Sequence, residues 1–270
     1  MKKIILIVII FLVVFSLNGN KMNNSKNELD NTNNITQENN VQNEIQEDVL
    51  EGKTIAFIGD SLVRGYGNGD NGFDYYLAAT LPKTTFINNS KSGSTITDNS
   101  GSDNIIMINQ AKTLNGNPDI IVLDGGANDI IGYALGFLNN DLKKEIGKVD
   151  MNTTISSNDT VITDFEKILM CLKEKFPNAK ICYLQPFLLD DDTISHLTTE
   201  TSLKQEIIAR RDAFYEEIPQ LCQKWNMEYL DVSVQFPGTE TKYRQDDWIH
   251  IKDEGYKLIT PYLLKKLEEM

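Results

Sequence analysis

The chain has 270 residues, with 26 basic and 39 acidic side chains and a net charge of −13 at pH 7. This acidic balance argues against a nucleic-acid binder and against electrostatic docking on an anionic membrane, since both need a basic surface. The three cysteines include no Cys-x-x-Cys pair, so the sequence offers neither a disulfide framework nor a zinc site of the usual spacing. Only two histidines are present, so a mechanism that needs histidine must use His196 or His250.

The first 19 residues have the pattern of an export signal. Lys2 and Lys3 precede an apolar run from Ile4 to Phe15, and a short polar exit follows. The run is shorter than the ~20 residues of a membrane span, and no cysteine follows it to carry a lipid. The exit has no Ala-x-Ala cleavage site, so an uncleaved N-terminal anchor is the alternative to a removed signal. We expect a secreted or cell-surface protein whose only membrane contact would be through this segment.

Residues 20–50 form a segment of different composition. They are rich in asparagine and contain few large apolar side chains, so they cannot bury enough surface to offset the entropy cost of ordering. We interpret them as a disordered linker that leads into one folded domain over residues 51–270.

Five short apolar runs in this domain predict buried parallel strands. They are Thr54–Ile58, Thr84–Ile87, Ile120–Leu123, Lys180–Leu184 and Met227–Leu230. Helical periodicity predicts helices around residues 162–176, 201–225 and 252–269. Strands that alternate with helices predict an α/β fold with a mainly parallel sheet covered on both faces. The long segments 132–160 and 232–247 each follow a strand and are candidate substrate loops.

Two polar motifs contain a possible nucleophile and a possible base. Gly59-Asp60-Ser61 directly follows the first strand, at the sheet edge where a serine can face a ligand. Asp247 lies three residues before His250, so its carboxylate can orient the imidazole while the other ring nitrogen takes a proton from a serine. Each motif alone is equally compatible with a turn serine or a surface histidine.

Two glycine-bearing loops follow the second and third strands. They contain Gly93 and the sequence Gly126-Ala127-Asn128-Asp129. Glycine lets a backbone N–H approach a substrate oxygen closely, and the asparagine amide adds a side-chain donor. The N–H groups of Ser61 and Gly93 and the amide of Asn128 would together form an oxyanion hole.

Taken together, these motifs resemble the four sequence blocks of the SGNH (GDSL-like) hydrolase family, in that family's order. The resemblance spans nearly all of residues 52–270. It implies a flavodoxin-like three-layer α/β/α sandwich with a central, mainly parallel five-stranded sheet. It also implies a serine esterase that requires no metal and no cofactor. Ala127 stands where many members have threonine, a difference we expect to be tolerated.

The resemblance also assigns roles. Ser61 is carried over as the nucleophile, His250 as the general base and Asp247 as the carboxylate that orients it. Ser61, Gly93 and Asn128 are carried over as the oxyanion donors. Four aromatic residues on loops predicted to rim the site are candidate substrate contacts; they are Tyr66, Phe187, Tyr243 and Trp248.

The sequence leaves the substrate open. Export favours a small acyl ester outside the cell, and O-acetyl groups on a carbohydrate or on peptidoglycan fit that setting. A lipase, a lysophospholipase or an acyltransferase would use the same triad. A non-catalytic glycan-binding module is the alternative of a different class, and the presence of both Ser61 and His250 disfavours it.

Overall fold

Five strands form one sheet in which every neighbouring pair is parallel. They are β1 (Thr54–Ile58), β2 (Thr85–Asn88), β3 (Ile120–Asp124), β4 (Lys180–Gln185) and β5 (Glu228–Asp231), in the spatial order β2-β1-β3-β4-β5. The computed structural model describes residues 49–97, 106–131, 158–185, 189–236 and 241–270. The strands predicted from sequence agree with these to within one residue at each end, and the predicted parallel sheet is confirmed.

Helices connect the strands and cover the sheet. They are α1 (Ser61–Arg64), α2 (Phe73–Thr80), α3 (Met107–Thr113), α4 (Asn158–Lys175), α5 (Asp191–Leu197), α6 (Thr201–Lys224) and α7 (Asp253–Glu268), with a helical turn over 127–131 and a 3-10 turn at Val232–Gln235. The sequence predicted α4, α6 and α7. Within the described ranges, no helix combines the length and apolar character needed to cross a bilayer.

Alternating side chains of the strands feed two separate hydrophobic cores. On β1, Ala56 and Ile58 pack into the core that α3, α4 and α6 cover. Ile55 and Phe57, from the same strand, pack into the opposite core, which α2 and α7 cover. Because a strand directs successive side chains to opposite faces, this division produces three layers, helices over sheet over helices. The predicted α/β/α sandwich is confirmed.

The strand order creates a topological switch point beside β1. The chain runs from β1 outward to β2 and then returns to the other side of β1 as β3. Loops diverge at such a switch point, and in open parallel sheets ligands bind there, beyond the carboxyl ends of the strands. The loops that follow β1, β2 and β3 contain the first three predicted motifs.

Some sequence predictions lie outside the described residues. These are the export signal at 1–19, the linker at 20–50 except its last two residues, Phe187, and the greater part of the candidate substrate loop at 132–160. The candidate loop at 232–247 is described except for residues 237–240.

Candidate active site

Ser61 lies at the carboxyl end of β1, as its sequence position predicted. The strand ends at Ile58, and Gly59-Asp60 lead into α1, of which Ser61 is the first residue. The Asp60 side chain caps this helix, its Oδ1 accepting the Leu62 N–H at 2.9 Å. The Ser61 side chain is largely enclosed, with 6% of the residue exposed.

A chain of hydrogen bonds joins Ser61, His250 and Asp247. The Ser61 Oγ lies 2.9 Å from His250 Nε2, although the two residues are 189 positions apart in sequence. On the other side of the ring, His250 Nδ1 lies 2.6 Å from Asp247 Oδ2. Because Nδ1–H is donated to the carboxylate, Nε2 is left to accept the serine proton. This is the geometry that base-assisted attack by a serine requires.

Backbone groups fix the Asp247 carboxylate in place. Its Oδ1 accepts the N–H groups of Ile249 and His250, each at 3.0 Å. Burial alone would raise the pKa of Asp247, but the hydrogen bond and charge of His250, together with these backbone donors, hold the pKa below its usual range. Asp247 is therefore ionised at neutral pH and can stabilise a protonated imidazole.

Asp247 and His250 lie near the tip of a short hairpin, which we call the catalytic hairpin (Tyr243–Lys252). The Gln245 N–H donates to the His250 carbonyl at 2.8 Å, and the Lys252 N–H donates to the Tyr243 carbonyl at 2.9 Å. An isolated antiparallel bridge between Arg244 and Ile251 lies between these two bonds. The hairpin thus presents the carboxylate and the imidazole from one short segment.

A buried glutamine that no sequence motif marked joins the loop that contains Gly93 to the turn that contains Ser61. Gln110, on α3, accepts the Gly59 N–H at 3.0 Å and donates to the Gly59 carbonyl at 3.0 Å. Its Nε2 also donates to Ser94 Oγ at 2.6 Å. Gly93 precedes that serine with φ of +77°, a conformation that glycine adopts without the steric cost of a side chain. Gln110 therefore ties the loop that contains Gly93 to the end of β1.

The predicted oxyanion residue Asn128 lies at the same place. It is on the helical turn 127–131, just after β3, and its Nδ2 donates to Asp60 Oδ2 at 3.1 Å and to the Ser94 carbonyl at 2.9 Å. Asn128 thus contacts both other loops. Its two amide hydrogens already have protein acceptors, so an oxyanion here would share one of them or displace the Ser94 carbonyl.

Two buried carboxyl groups lie beneath the nucleophile. Asp60 and Asp124 are each 1% exposed, and neither carboxyl oxygen of Asp124 has a hydrogen-bond partner among the described residues. Burial, and after it the negative charge of Asp60, hold the pKa of Asp124 well above its usual range. Burial also raises the pKa of Asp60, so the two carboxyl groups disfavour each other's ionisation. Asp60 also receives the Leu62 N–H and the Asn128 amide.

Asp129, the last residue of the third motif, has a structural role. Its carboxylate accepts the backbone N–H groups of Ile96 and Thr97 and the hydroxyl of Thr97, at 2.7 to 3.0 Å. It fixes the loop that follows Gly93. In the described part of the chain, no group of three or more His, Cys, Asp or Glu side chains is arranged to hold a metal ion.

The predicted rim aromatics separate into different environments. The Tyr66 ring lies 4.7 Å from the His250 ring and the residue is 46% exposed, so it borders the site. Trp248 lies between Asp247 and His250 in the sequence, and the His196 ring stacks on its indole at 3.6 Å. Tyr243 packs against Phe236 and has the Lys242 ammonium over its ring.

His196, the other histidine, lies on α5, which the sequence did not predict. The Asp190 side chain caps this helix by accepting the Thr193 N–H at 2.8 Å. His196 is exposed, and its Nδ1 lies 2.8 Å from the Asp192 carbonyl. Of the two histidines in the chain, only His250 contacts a serine hydroxyl within the described residues.

Comparison with known proteins agrees with this geometry. A family model for GDSL-like lipases and acylhydrolases matches residues 57–258, and the chain belongs to this family. It is accordingly a carboxylic ester hydrolase. No curated protein matches the chain with significant sequence similarity.

Several solved structures share the fold. A member of the lipolytic G-D-S-L family from Veillonella parvula has 15% identity and a TM-score of 0.53, and the match covers 80% of this chain and 99% of that one. A mutant of an acetyl-xylooligosaccharide esterase from Geobacillus has 19% identity and a TM-score of 0.53, covering 82% and 96%. Phospholipase A1 from Streptomyces albidoflavus has 15% identity and a TM-score of 0.54, covering 80% and 99%.

Proposed function

We propose that this chain is an exported serine esterase that hydrolyses small acyl esters through an acyl-enzyme formed on Ser61. The observation that supports this most directly is the continuous hydrogen-bond chain from Ser61 Oγ through the His250 ring to Asp247, at 2.9 and 2.6 Å. Family membership supplies ester hydrolysis as the reaction, and this chain of atoms supplies a nucleophile, a base and an orienting carboxylate.

The reaction proceeds in two halves. His250 Nε2 takes the Ser61 hydroxyl proton while Oγ attacks the ester carbonyl, and the N–H groups of Ser61 and Gly93 with the Asn128 amide hold the oxyanion. The tetrahedral intermediate expels the alcohol, which receives the proton from His250 and leaves an acyl-serine. Water then attacks the acyl-serine with His250 again as base, which releases the acid and restores the free hydroxyl.

We further propose that the acyl group is short and that the alcohol is a carbohydrate or peptidoglycan hydroxyl. Tyr66 supports this: it is exposed beside His250, where an aromatic ring can pack against a sugar face. The fold neighbour described as an acetyl-xylooligosaccharide esterase is consistent with such a substrate. The neighbour described as a phospholipase makes a lipid ester the second candidate.

The test compares the purified chain with its Ser61→Ala variant on p-nitrophenyl acetate, butyrate and octanoate, and on acetylated xylan and peptidoglycan. We expect wild-type rates to fall steeply with acyl length. We expect Ser61→Ala to reduce kcat by roughly 10⁵- to 10⁶-fold, because both half-reactions need the hydroxyl. A preference for octanoate would favour the lipid ester. Equal background rates for both proteins on every ester would overturn the proposal.

A matched pair of carboxylate variants separates the triad from its surroundings. Asp247→Asn should lower kcat by about 10⁴-fold, because an amide no longer selects the imidazole tautomer that can accept the serine proton. Asp246→Asn changes the neighbouring exposed acid, which is not in the hydrogen-bond chain, and should leave kcat unchanged. Equal effects of the two substitutions would point to general electrostatics and not to a triad.

A further inference from the structure

A buried arginine lies at the base of the catalytic hairpin. Arg244 is 2% exposed and is among the largest fully buried side chains of the described residues. It pairs with Ile251 in the bridge that closes the hairpin, three positions before Asp247. An arginine is rarely buried to this extent unless its charge is paired, so its partners indicate what it stabilises.

The guanidinium connects the hairpin to the start of α5. Both terminal nitrogens of Arg244 bond to the Asp190 carboxylate, which is also the N-cap of that helix. The Nη1 atom also bonds to Thr193 Oγ1. Burial opposes ionisation of Asp190, but the Thr193 N–H and the Arg244 guanidinium lower the pKa of that carboxyl below its usual range, so the pair is charged at neutral pH.

The same guanidinium reaches the middle of the turn that contains the triad residues. Arg244 Nη1 and Thr193 Oγ1 both lie 3.5 Å from the Trp248 carbonyl oxygen, at the long end of hydrogen-bond distance. Trp248 has φ of +64°, which is rare for a bulky residue and needs support from its surroundings. Its side chain is held as well, by the stacked His196 ring and by the Arg244 guanidinium 6.0 Å from the indole centroid.

We propose that Arg244 is a positioning residue for ester hydrolysis, whose guanidinium ties the catalytic hairpin to α5 and thereby fixes the geometry of Asp247 and His250. The inference rests on the proposed triad. Arg244 lies outside the four motifs, between Tyr243 and Gln245. A charged side chain at such a position would ordinarily be exposed to solvent. The contact with the Trp248 carbonyl lies in the turn, and the contacts with Asp190 and Thr193 lie at the start of α5. Arg244 therefore attaches the turn directly to this helix.

The consequence is a specific kinetic pattern. A small ester does not touch Arg244, so its binding should survive loss of the guanidinium. The alignment of the Ser61 hydroxyl with the His250 imidazole should not survive this loss. A misplacement of about 1 Å in a reacting group can cost 10²-fold in rate. We therefore expect Arg244→Met to lower kcat on p-nitrophenyl acetate by about 10²-fold while KM changes less than threefold. Arg244→Lys, which keeps the charge and one contact, should recover part of kcat.

Arg211→Met is the matched control. Arg211 also pairs with α5, bonding Asp191 at 2.6 Å and the Leu189 carbonyl at 3.0 Å from its position on α6. Those partners do not belong to the catalytic hairpin. Both variants remove an arginine–aspartate pair at α5, and Arg211→Met also removes the pair with Asp212 on α6. The melting temperature should therefore fall in both, while kcat should fall only in Arg244→Met. Active-site titration with a fluorophosphonate counts the folded, reactive enzyme in each preparation.

Two smaller changes keep the inference testable if Arg244→Met does not fold. Asp190→Asn keeps a helix cap but removes the charge that holds the guanidinium, and Thr193→Val keeps the side-chain shape but removes the hydroxyl. Each should lower kcat about tenfold with little change in KM. Unchanged kcat in these variants, or equal kcat in Arg244→Met and Arg211→Met, would overturn the inference. Ser61→Ala tests the triad separately. If Ser61→Ala is inactive and Arg244→Met is fully active, the triad stands and only the role of Arg244 is overturned.

Discussion

At the scale of single residues, the turn that contains Ser61 has two buried carboxyl groups that take no part in the proposed chemistry. Burial raises the pKa of Asp60, and burial with the charge of Asp60 holds the pKa of Asp124 well above its usual range. Asp60 accepts the Leu62 N–H and the Asn128 amide. Asp60 therefore supports both the cap of the helix that begins at Ser61 and the orientation of the Asn128 amide.

Asp124→Asn should make stability less dependent on pH. In the unfolded chain Asp124 ionises near its usual pKa of 3.8, whereas burial raises the pKa in the folded state. Between the unfolded-state pKa and the folded-state pKa, the folded chain binds more protons than the unfolded chain. The contribution of this carboxyl to stability is therefore lost as the pH rises from the lower pKa to the higher one. An asparagine amide has no proton to lose in this pH range. In urea titrations, the increase in the free energy of unfolding that Asp124→Asn produces should therefore be larger at pH 8 than at pH 5.

Asp192→Asn is the control for that experiment, because Asp192 is exposed on α5 and should show the same small effect at both pH values. A gain for Asp124→Asn that does not change between pH 5 and pH 8 would contradict a raised pKa.

Single residues also mark where sequence reading failed. Local motifs mark Ser61, Asp247 and His250, and the structure brings their side chains into one hydrogen-bond chain, while their catalytic roles stay a prediction. Gln110 and Arg244 could not be predicted, because each acts through partners about 50 residues away that only the fold brings near. No local pattern distinguishes a buried glutamine or arginine from an exposed one.

At the scale of elements, close packing explains one of the motif glycines. Gly126 lies between β3 and the turn that contains Asn128, with φ of +98°. A Cβ atom there would lie 2.5 Å from the ring of Phe214, which α6 packs into the core. The glycine therefore allows α6 to approach the loop that contains Asn128 closely.

Gly126→Ala should destabilise the protein through both the backbone and this clash, by roughly 2–4 kcal/mol in urea unfolding. Gly52→Ala is the control: its φ is +77° but nothing lies within 4 Å of the added methyl, so only the backbone cost, about 1 kcal/mol, should remain. Combining Gly126→Ala with Phe214→Leu should give a smaller loss than the sum of the two single changes. Additive losses would show that the ring is not the obstacle.

The elements themselves were predictable to different degrees. Each strand is a short apolar run between polar segments, so its ends could be predicted to within one residue. The central strands β1, β3 and β4 are buried on both faces, as expected, whereas the edge strands β2 and β5 are only partly buried. The helix α5 was missed because its sequence is rich in Asp, Thr and Ser, which favour turns as readily as helix starts. Contacts of Asp190 and Thr193 with Arg244 add tertiary support that no local sequence pattern contains.

At the scale of the whole molecule, the sheet order determines where the site forms. Because β1 has β2 on one side and β3 on the other, the loops that follow these three strands meet at one edge. The alternation of strands and helices predicted a parallel sheet, while the placement of the site at this edge came from the motifs. The loops 132–160 and 232–247 stay candidate substrate loops, and their conformations could not be predicted from composition.

The N-terminal pattern leads to a prediction about the complete chain. Expressed in a bacterial host with an active export pathway, the protein should accumulate outside the cytoplasm. Its first residue, read by N-terminal sequencing, should lie near residue 20 because the exit from the apolar run ends there. An intact N-terminus in the membrane fraction would favour the uncleaved anchor. An intact N-terminus in the cytoplasm would contradict export.

The separation of 189 residues between Ser61 and His250 has a consequence for biosynthesis. A ribosome adds roughly 5–20 residues per second, so Ser61 emerges about 10 to 40 seconds before His250, its proposed base, is made. In the proposed mechanism the serine is an ordinary hydroxyl throughout that interval. A nascent chain that stalls before the catalytic hairpin is synthesised should therefore be inert toward the esters of the cell that makes it.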